Sequence, residues 1–180
     1  MLTIAEQSSA RDYLLLCLPA DTAMRVGALS RIKVKDVNLA KRKVVVHEKG
    51  DQCRVLKFGE RTAQALVRYL NERPENAEPY LFIGQRGTPL KPGGIYQVFK
   101  RLARRAGVYG RFNPHAIRHA FAIHALENGA DLKAVQQLLG HKGIEVTARS
   151  YARYKTDALD AIHDRVSLLA PKKEDKPSHC

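Results

Sequence analysis

Apolar positions along this chain follow a helical period first, a strand period over residues 31–58, and a helical period again afterwards. Residues 3–18 read as a helix whose second half, with Tyr13, Leu14, Leu16, Cys17 and Leu18, is mostly apolar. Pro19 and Asp21 are expected to break it, with Asp21 or Thr22 capping a second helix over about 22–30. The β-branched run Lys43–His47, the turn chemistry of Lys49-Gly50-Asp51-Gln52 and the alternation in Cys53–Phe58 predict a hairpin or a small antiparallel sheet.

Residues 60–72 form an amphipathic pattern with Ala63, Leu66, Val67 and Leu70 on one face. A loop (71–79), a short buried piece (80–84) and a second loop (85–94) lead to a helix from Gly94 and Ile95. Its core face is Ile95, Val98, Phe99, Leu102 and Ala106, and its other face is basic. Pro114 suits a first helical turn and Gly129 closes that helix. The next helix has Asp131 as its N-cap and Gly140 at its end. A last helix is expected over about 156–169, with Leu159, Ile162, Val166 and Leu169 as its apolar stripe. The fold class is α+β, mostly α-helical, with the small sheet near residues 31–58. One domain over 1–170 and a disordered polar tail over 171–180 are expected.

Charge changes the picture more than composition does. The 180 residues are 44% hydrophobic and 27% charged, as in ordinary globular proteins. Yet 31 Lys+Arg against 18 Asp+Glu give a net charge of +13, which favours a polyanionic partner. Lys41, Arg42 and Lys43, and the helix face of Lys100, Arg101, Arg104 and Arg105, are the candidate phosphate-tracking surfaces; the other reading of each is a solvated face. The three cysteines, Cys17, Cys53 and Cys180, form no CxxC pair, which argues against a disulfide framework or a zinc ribbon. No apolar run approaches the roughly 20 residues of a membrane span. Residues 14–20 are too short for a signal peptide and lack a basic leader. A reduced, cytoplasmic protein is expected, with no membrane association.

The candidate chemistry lies between Asn113 and Tyr154. His115 and Arg118, three apart, share a helix face. An arginine fork suits two phosphate oxygens, and an imidazole can hydrogen-bond another or move a proton near neutral pH. His141 follows the helix-ending Gly140, and Tyr151 and Tyr154 are candidate nucleophiles. His115 and His119 stand four apart, but the HExxH pattern is absent and no metal is expected.

The segment NPHAIRHAFAIHALENGADLKAVQQLLGHKGIEVTARSY closely resembles the C-terminal catalytic motifs of the tyrosine recombinases, the phage integrase and Xer-like family. That pattern is H-x-x-R, then G-A-D-L with Q-x-L-L-G-H, then a tyrosine. Upstream, DTAMRVGALSRIKVKDVN resembles the segment with the family's first catalytic arginine, which maps onto Arg25. HEKGDQCRVLKF is similar to the hairpin with its catalytic lysine, which maps onto Lys49. The resemblance implies the tyrosine-recombinase catalytic-domain fold and site-specific DNA recombination without metal, ATP or cofactor. Arg25 and Arg118 would clamp the scissile phosphate, His115 and His141 would complete the shell, and Lys49 would act as general acid. Tyr151 would form a 3′-phosphotyrosyl link, with Tyr154 as second choice.

Three departures accompany the match. Ala28 stands where family members usually carry an acid, three residues after the first arginine. Tyr151 lies one residue later than the family spacing from His141, and Tyr154 lies further still. The family's N-terminal helical domain is expected to be absent. The resemblance further implies a double-stranded DNA site as partner and a homotetramer on DNA formed through the C-terminal helix, with a monomer where DNA is absent. It also implies a prokaryotic, nucleoid-associated location. The competing readings are a DNA-binding relic of the family and a type IB topoisomerase-like relaxase.

Overall fold

The computed structural model describes residues 1–48, 53–74, 79–84, 86–110 and 112–140. Lys49, His141, Tyr151, Tyr154, the helix expected over 156–169 and the expected tail lie outside the described residues. Within them the chain runs through α1 (Leu2–Ser8), α2 (Ala10–Thr22), α3 (Val26–Leu29), β1 (Val37–Asn38), β2 (Lys43–His47) and β3 (Cys53–Lys57). It continues through α4 (Glu60–Glu72), α5 (Pro92–Arg105), α6 (Pro114–Glu127) and α7 (Leu132–Leu139).

The first expected helix is two. Ser9 sits in extended backbone, and its side chain accepts from the Asp12 N–H, so it ends α1 and caps α2 at once. Pro19 does not break α2 but lies inside it; the helix closes at Ala23, a left-handed residue with φ 51°. The expected helix over 22–30 shrinks to the four residues of α3, whose N-cap is Arg25 with no side-chain cap bond.

Asp21 caps a different helix from the one expected. Its Oδ2 accepts from the Gly59 N–H at 2.7 Å and the Thr62 hydroxyl at 2.6 Å, at the start of α4. α4 therefore receives its N-terminal acceptor from α2, against which it packs.

The three strands form one antiparallel sheet in the order β1-β2-β3, with His47 opposite Cys53 and Lys43 opposite Lys57. Val44, Val46 and Leu56 face inward, as the alternation predicts. The short piece at Leu81–Ile83 is buried, its Leu81 N–H donating to the Ile32 carbonyl at 2.7 Å.

Two cores result. The main one gathers Leu14, Leu15 and Leu18 of α2, Leu66 and Tyr69 of α4, Phe99 and Leu102 of α5, with Phe58 and Phe82. A smaller one, of Ala23, Ala122, Val135 and Leu139, joins α6 and α7 to the end of α2. Because that second core is small and built partly of alanines, apolar burial alone holds α7 weakly.

At the far side of α2, the buried Asp12 carboxylate accepts from Arg11 at 2.9 Å and pairs with Arg101 of α5. This pairing ties one arginine of the exposed basic face of α5 to a buried carboxylate of α2. Replacing Asp21 by alanine should lower the unfolding free energy by about 1 kcal/mol, the worth of an N-cap, read as a lower midpoint in urea.

Candidate active site

Helix geometry leaves the last carbonyls of α7 short of partners; at its end Gln137 O accepts from the Gly140 N–H at 3.0 Å. Arginines take all four of those from Gln137 to Gly140. Arg54 Nη2 donates to Gln137 O at 3.2 Å and Leu138 O at 2.6 Å. Arg118 Nη2 donates to Leu139 O at 2.5 Å, and Arg25 Nη2 to Gly140 O at 3.1 Å. Three positive side chains, from β3, α6 and the start of α3, thus converge on the negative end of one helix dipole. Gly140 closes α7 in the left-handed region at φ 65°, and a Cβ there would run into the Arg54 guanidinium.

Arg118 is the most enclosed of the three, at 6% exposure. Its second fork atom, Nη1, donates to the carbonyl of Ala23. One side chain therefore joins the turn leading into Arg25 to the helix end leading into His141. Burial, then the charge of Arg25, pulls the Arg118 pKa down to about 10, with Glu48 opposing the shift. The unfolded chain holds this proton more tightly, so the penalty is present below about pH 10 and eases as pH rises through it. At neutral pH the group is charged and gains from any anion brought alongside.

Arg25 is more open, with 44% of its side chain exposed. Its Nη1 donates to Glu48 Oε2 at 2.5 Å, while Glu48 Oε1 accepts from Arg54 Nη1 at 3.1 Å. The Glu48 side chain is only 9% exposed. Arg31 adds a bond from its Nη2 to the His47 carbonyl at 2.9 Å, tying the end of β2 to the segment after α3.

Of the residues singled out from the sequence, Arg25 and Arg118 are brought to one place. His115 lies one turn from Arg118 on α6 and is exposed. Its helix starts where expected: the Asn113 side chain accepts from the Ala116 N–H at 2.9 Å, with Pro114 in the first turn. The described chain stops short of Lys49 at Glu48 and short of His141 at Gly140, and both flanking residues belong to the arginine cluster. Lys41, Lys43, Lys100 and Arg104 are exposed. Arg42, Arg101 and Arg105 have partners within the chain: Glu60 at 3.0 Å, Asp12, and the Ser8 hydroxyl at 2.8 Å. Among the described residues, no group of three His, Cys, Asp or Glu side chains could hold a metal ion.

Sequence reasoning missed Arg54 and Glu48. A signal for Arg54 was present, since it shares a strand face with Leu56 and pairs across the sheet with the buried Val46. A charge on the inward face of a strand calls for a partner. Nothing local marks Glu48, whose role depends on two arginines from other elements.

With this geometry in view, the comparisons with known proteins are decisive. The phage integrase family model matches residues 1–157. The chain belongs to the phage integrase family. Tyrosine recombinase XerC of Bacillus subtilis (strain 168) is 37% identical over 151 residues, covering 80% of this chain and 50% of that protein. Tyrosine recombinase XerC of Histophilus somni (strain 2336) is 32% identical over 171 residues, covering 94% of this chain and 58% of that protein. The crystal structure of XerA recombinase matches with a TM-score of 0.80 and 32% identity, over 91% of this chain and 61% of that one. XerH recombinase bound to its difH substrate in a post-cleavage complex shares the fold, with a TM-score of 0.75 at 24% identity over 90% of this chain and 49% of that one. The chain spans about half the length of the curated relatives it matches. The expected family and fold class both hold.

Arg118→Ala should destabilise the fold by about 1–3 kcal/mol, because it orphans two carbonyls within the structure. Arg118→Lys should recover little of this, since an ammonium lacks the planar fork. Urea titration of the three proteins checks both. Gly140→Ala should also destabilise, by about 1 kcal/mol or more, through its left-handed backbone and the displaced Arg54; the same titration measures it.

Proposed function

We propose that this chain is the DNA-cleaving and rejoining part of a site-specific tyrosine recombinase, with residues 1–170 as its catalytic domain. The observation that carries the reading is the convergence of Arg25 and Arg118, from opposite ends of the described chain, on the segment leading into His141. The family match and the Xer relatives support the same activity.

In the proposed reaction, Arg25 and Arg118 hold the non-bridging oxygens of the scissile phosphate. They stabilise the charge that grows there in the transition state. Each arginine carries five N–H donors. Arg25 uses two of its hydrogen atoms on Glu48 and Gly140 O, and Arg118 two on Ala23 O and Leu139 O, which leaves donors for phosphate on both. His115 and His141 complete the shell by hydrogen bonds, and His115 manages the nucleophile's proton. Tyr151 attacks phosphorus, the P–O5′ bond breaks, and Lys49 gives the leaving 5′-oxygen its proton. The phosphodiester becomes a 3′-phosphotyrosyl ester. A 5′-hydroxyl from a partner strand then reverses the step, so rejoining needs no ATP. Tyr154 is the second choice of nucleophile.

The partner is a double-stranded recombination site, on which the chain assembles as a homotetramer through its C-terminal helix and from which it separates as a monomer. Lys41, Arg42, Lys43, Lys100, Arg101, Arg104 and Arg105 are the candidate contacts to the DNA backbone; Arg42, Arg101 and Arg105 would first have to give up Glu60, Asp12 and Ser8, which favours the other four. The place of action is the cytoplasm, on the nucleoid.

A suicide DNA substrate carrying the cognate site should yield a covalent protein–DNA adduct. Tyr151→Phe should abolish the adduct and Tyr154→Phe should not; the reverse would move the nucleophile to Tyr154. Tight binding without any adduct would instead make the chain a DNA-binding relic. Supercoil relaxation without strand exchange would make it a topoisomerase-like relaxase. Phosphate contacts also predict that affinity falls steeply and log-linearly with salt, which a fluorescence-anisotropy series would measure.

A further inference from the structure

Three guanidiniums meet at the end of α7, and Glu48 is the carboxylate that the described residues set among them. It gives one oxygen to Arg25, at 2.5 Å, and the other to Arg54, at 3.1 Å. Arg54 is itself fastened to Gln137 O and Leu138 O. Glu48 therefore links the exposed Arg25 fork to a fixed point on the helix end. The helix of Arg25 supplies no such support: Ala28, one turn along, is uncharged and packed in the main core at 2% exposure.

From this we infer that Glu48 is a positioning residue for Arg25 in the phosphate clamp. The inference rests on the strand-cleaving function proposed above. A free arginine side chain has many rotamers to lose when it grips an anion. Held beforehand by Glu48 and Gly140 O, Arg25 meets the phosphate with that loss already incurred, and its remaining donors are already aimed. Glu48 also lessens the mutual repulsion of the three cations, which is felt at Arg118, where Arg25 and Arg54 lower the pKa and Glu48 raises it. Because the carboxylate is 9% exposed, water screens these interactions little. Finally, Glu48 follows the end of β2 and directly precedes Lys49 in the sequence, so the two ion pairs anchor the residue next to the candidate lysine.

The test uses the full chain with Glu48→Gln, which keeps the shape and removes the charge, and Glu48→Ala. Asp21→Ala serves as a control that lowers stability through bonds to the start of α4 rather than to the arginine cluster. Two readouts are needed. The first is the nitrogen-15 NMR signal of the Arg25 guanidinium, which needs no catalysis. It should be sharp and slow to exchange in the parent and in Asp21→Ala, and broadened or fast-exchanging in both Glu48 variants. The second is the single-turnover rate of adduct formation on the suicide substrate. It should fall about tenfold or more, as expected for losing one charge-assisted hydrogen bond, while DNA affinity changes about twofold or less. An unchanged Arg25 signal, or parental cleavage rates in both Glu48 variants, overturns the inference. Faster cleavage or tighter DNA binding in Glu48→Gln overturns it too, because Glu48 would then be competing with phosphate for Arg25. If the parent forms no adduct, the recombinase function fails, and the NMR readout alone decides whether Glu48 holds Arg25.

Discussion

The bonds from Arg118 to the carbonyls of Ala23 and Leu139 are the constraint on which this arrangement depends. The candidate clamp needs two arginines from distant parts of the chain to face one phosphate. Arg25 follows a left-handed turn at the end of α2, and His141 follows a left-handed glycine at the end of α7. Each turn closes on its own helix, through Ala23 N–H to Pro19 O and Gly140 N–H to Gln137 O, but those bonds do not set how far apart the two segments lie. Arg118, entering from α6 between them, takes one carbonyl from each and so sets the separation of the two segments. The proposed phosphate-binding residue is thus also the tie that builds its own pocket.

This design exchanges apolar burial for charge. Among the described residues, the satellite core behind α6 and α7 holds four buried residues, two of them alanines. The Arg25, Arg54 and Arg118 bonds to its terminal carbonyls add to the grip on α7. Burying a guanidinium beside two others is unfavourable, as the lowered pKa of Arg118 records. The helix dipole, the carbonyls and Glu48 offset that penalty in part, and an incoming phosphate would offset more. A pocket with a standing excess of positive charge is what strand cleavage requires, since negative charge grows on the phosphate oxygens as the reaction proceeds.

Much of the local structure was legible because its causes are local. Asn113 with Pro114 starts α6, and Asp131 and Gly140 bound α7, since a cap needs only a residue of the right type at the right backbone position. The strands followed their alternation for the same reason. The failures cluster around α2. Ser9 split the expected first helix, Pro19 stayed inside the second, and Asp21 capped α4 rather than its own neighbour. There, packing of an almost wholly buried helix overrode punctuation that usually ends one. Arg101 and Arg105 do lie on an exposed basic face, and Asp12 and Ser8, which no local pattern announces, engage them there. Helical periodicity tells which residues share a face, not what that face meets.

The sequence by itself determined the family, the helical framework with its small sheet, and the order of candidate catalytic residues from Arg25 to Tyr151. These depend on motif spacing and short-range backbone preferences, which survive without knowledge of contacts. Only the tertiary structure decided that Arg25 and Arg118 share one helix end, that Arg54 belongs with them, and that Glu48 joins Arg25 to Arg54. The physical reason is range: a hydrogen bond acts over about 3 Å, and the partners in this cluster are scattered over most of the described chain. Their meeting is set by how α2, α6, α7 and the hairpin pack, and no stretch of sequence carries that information alone.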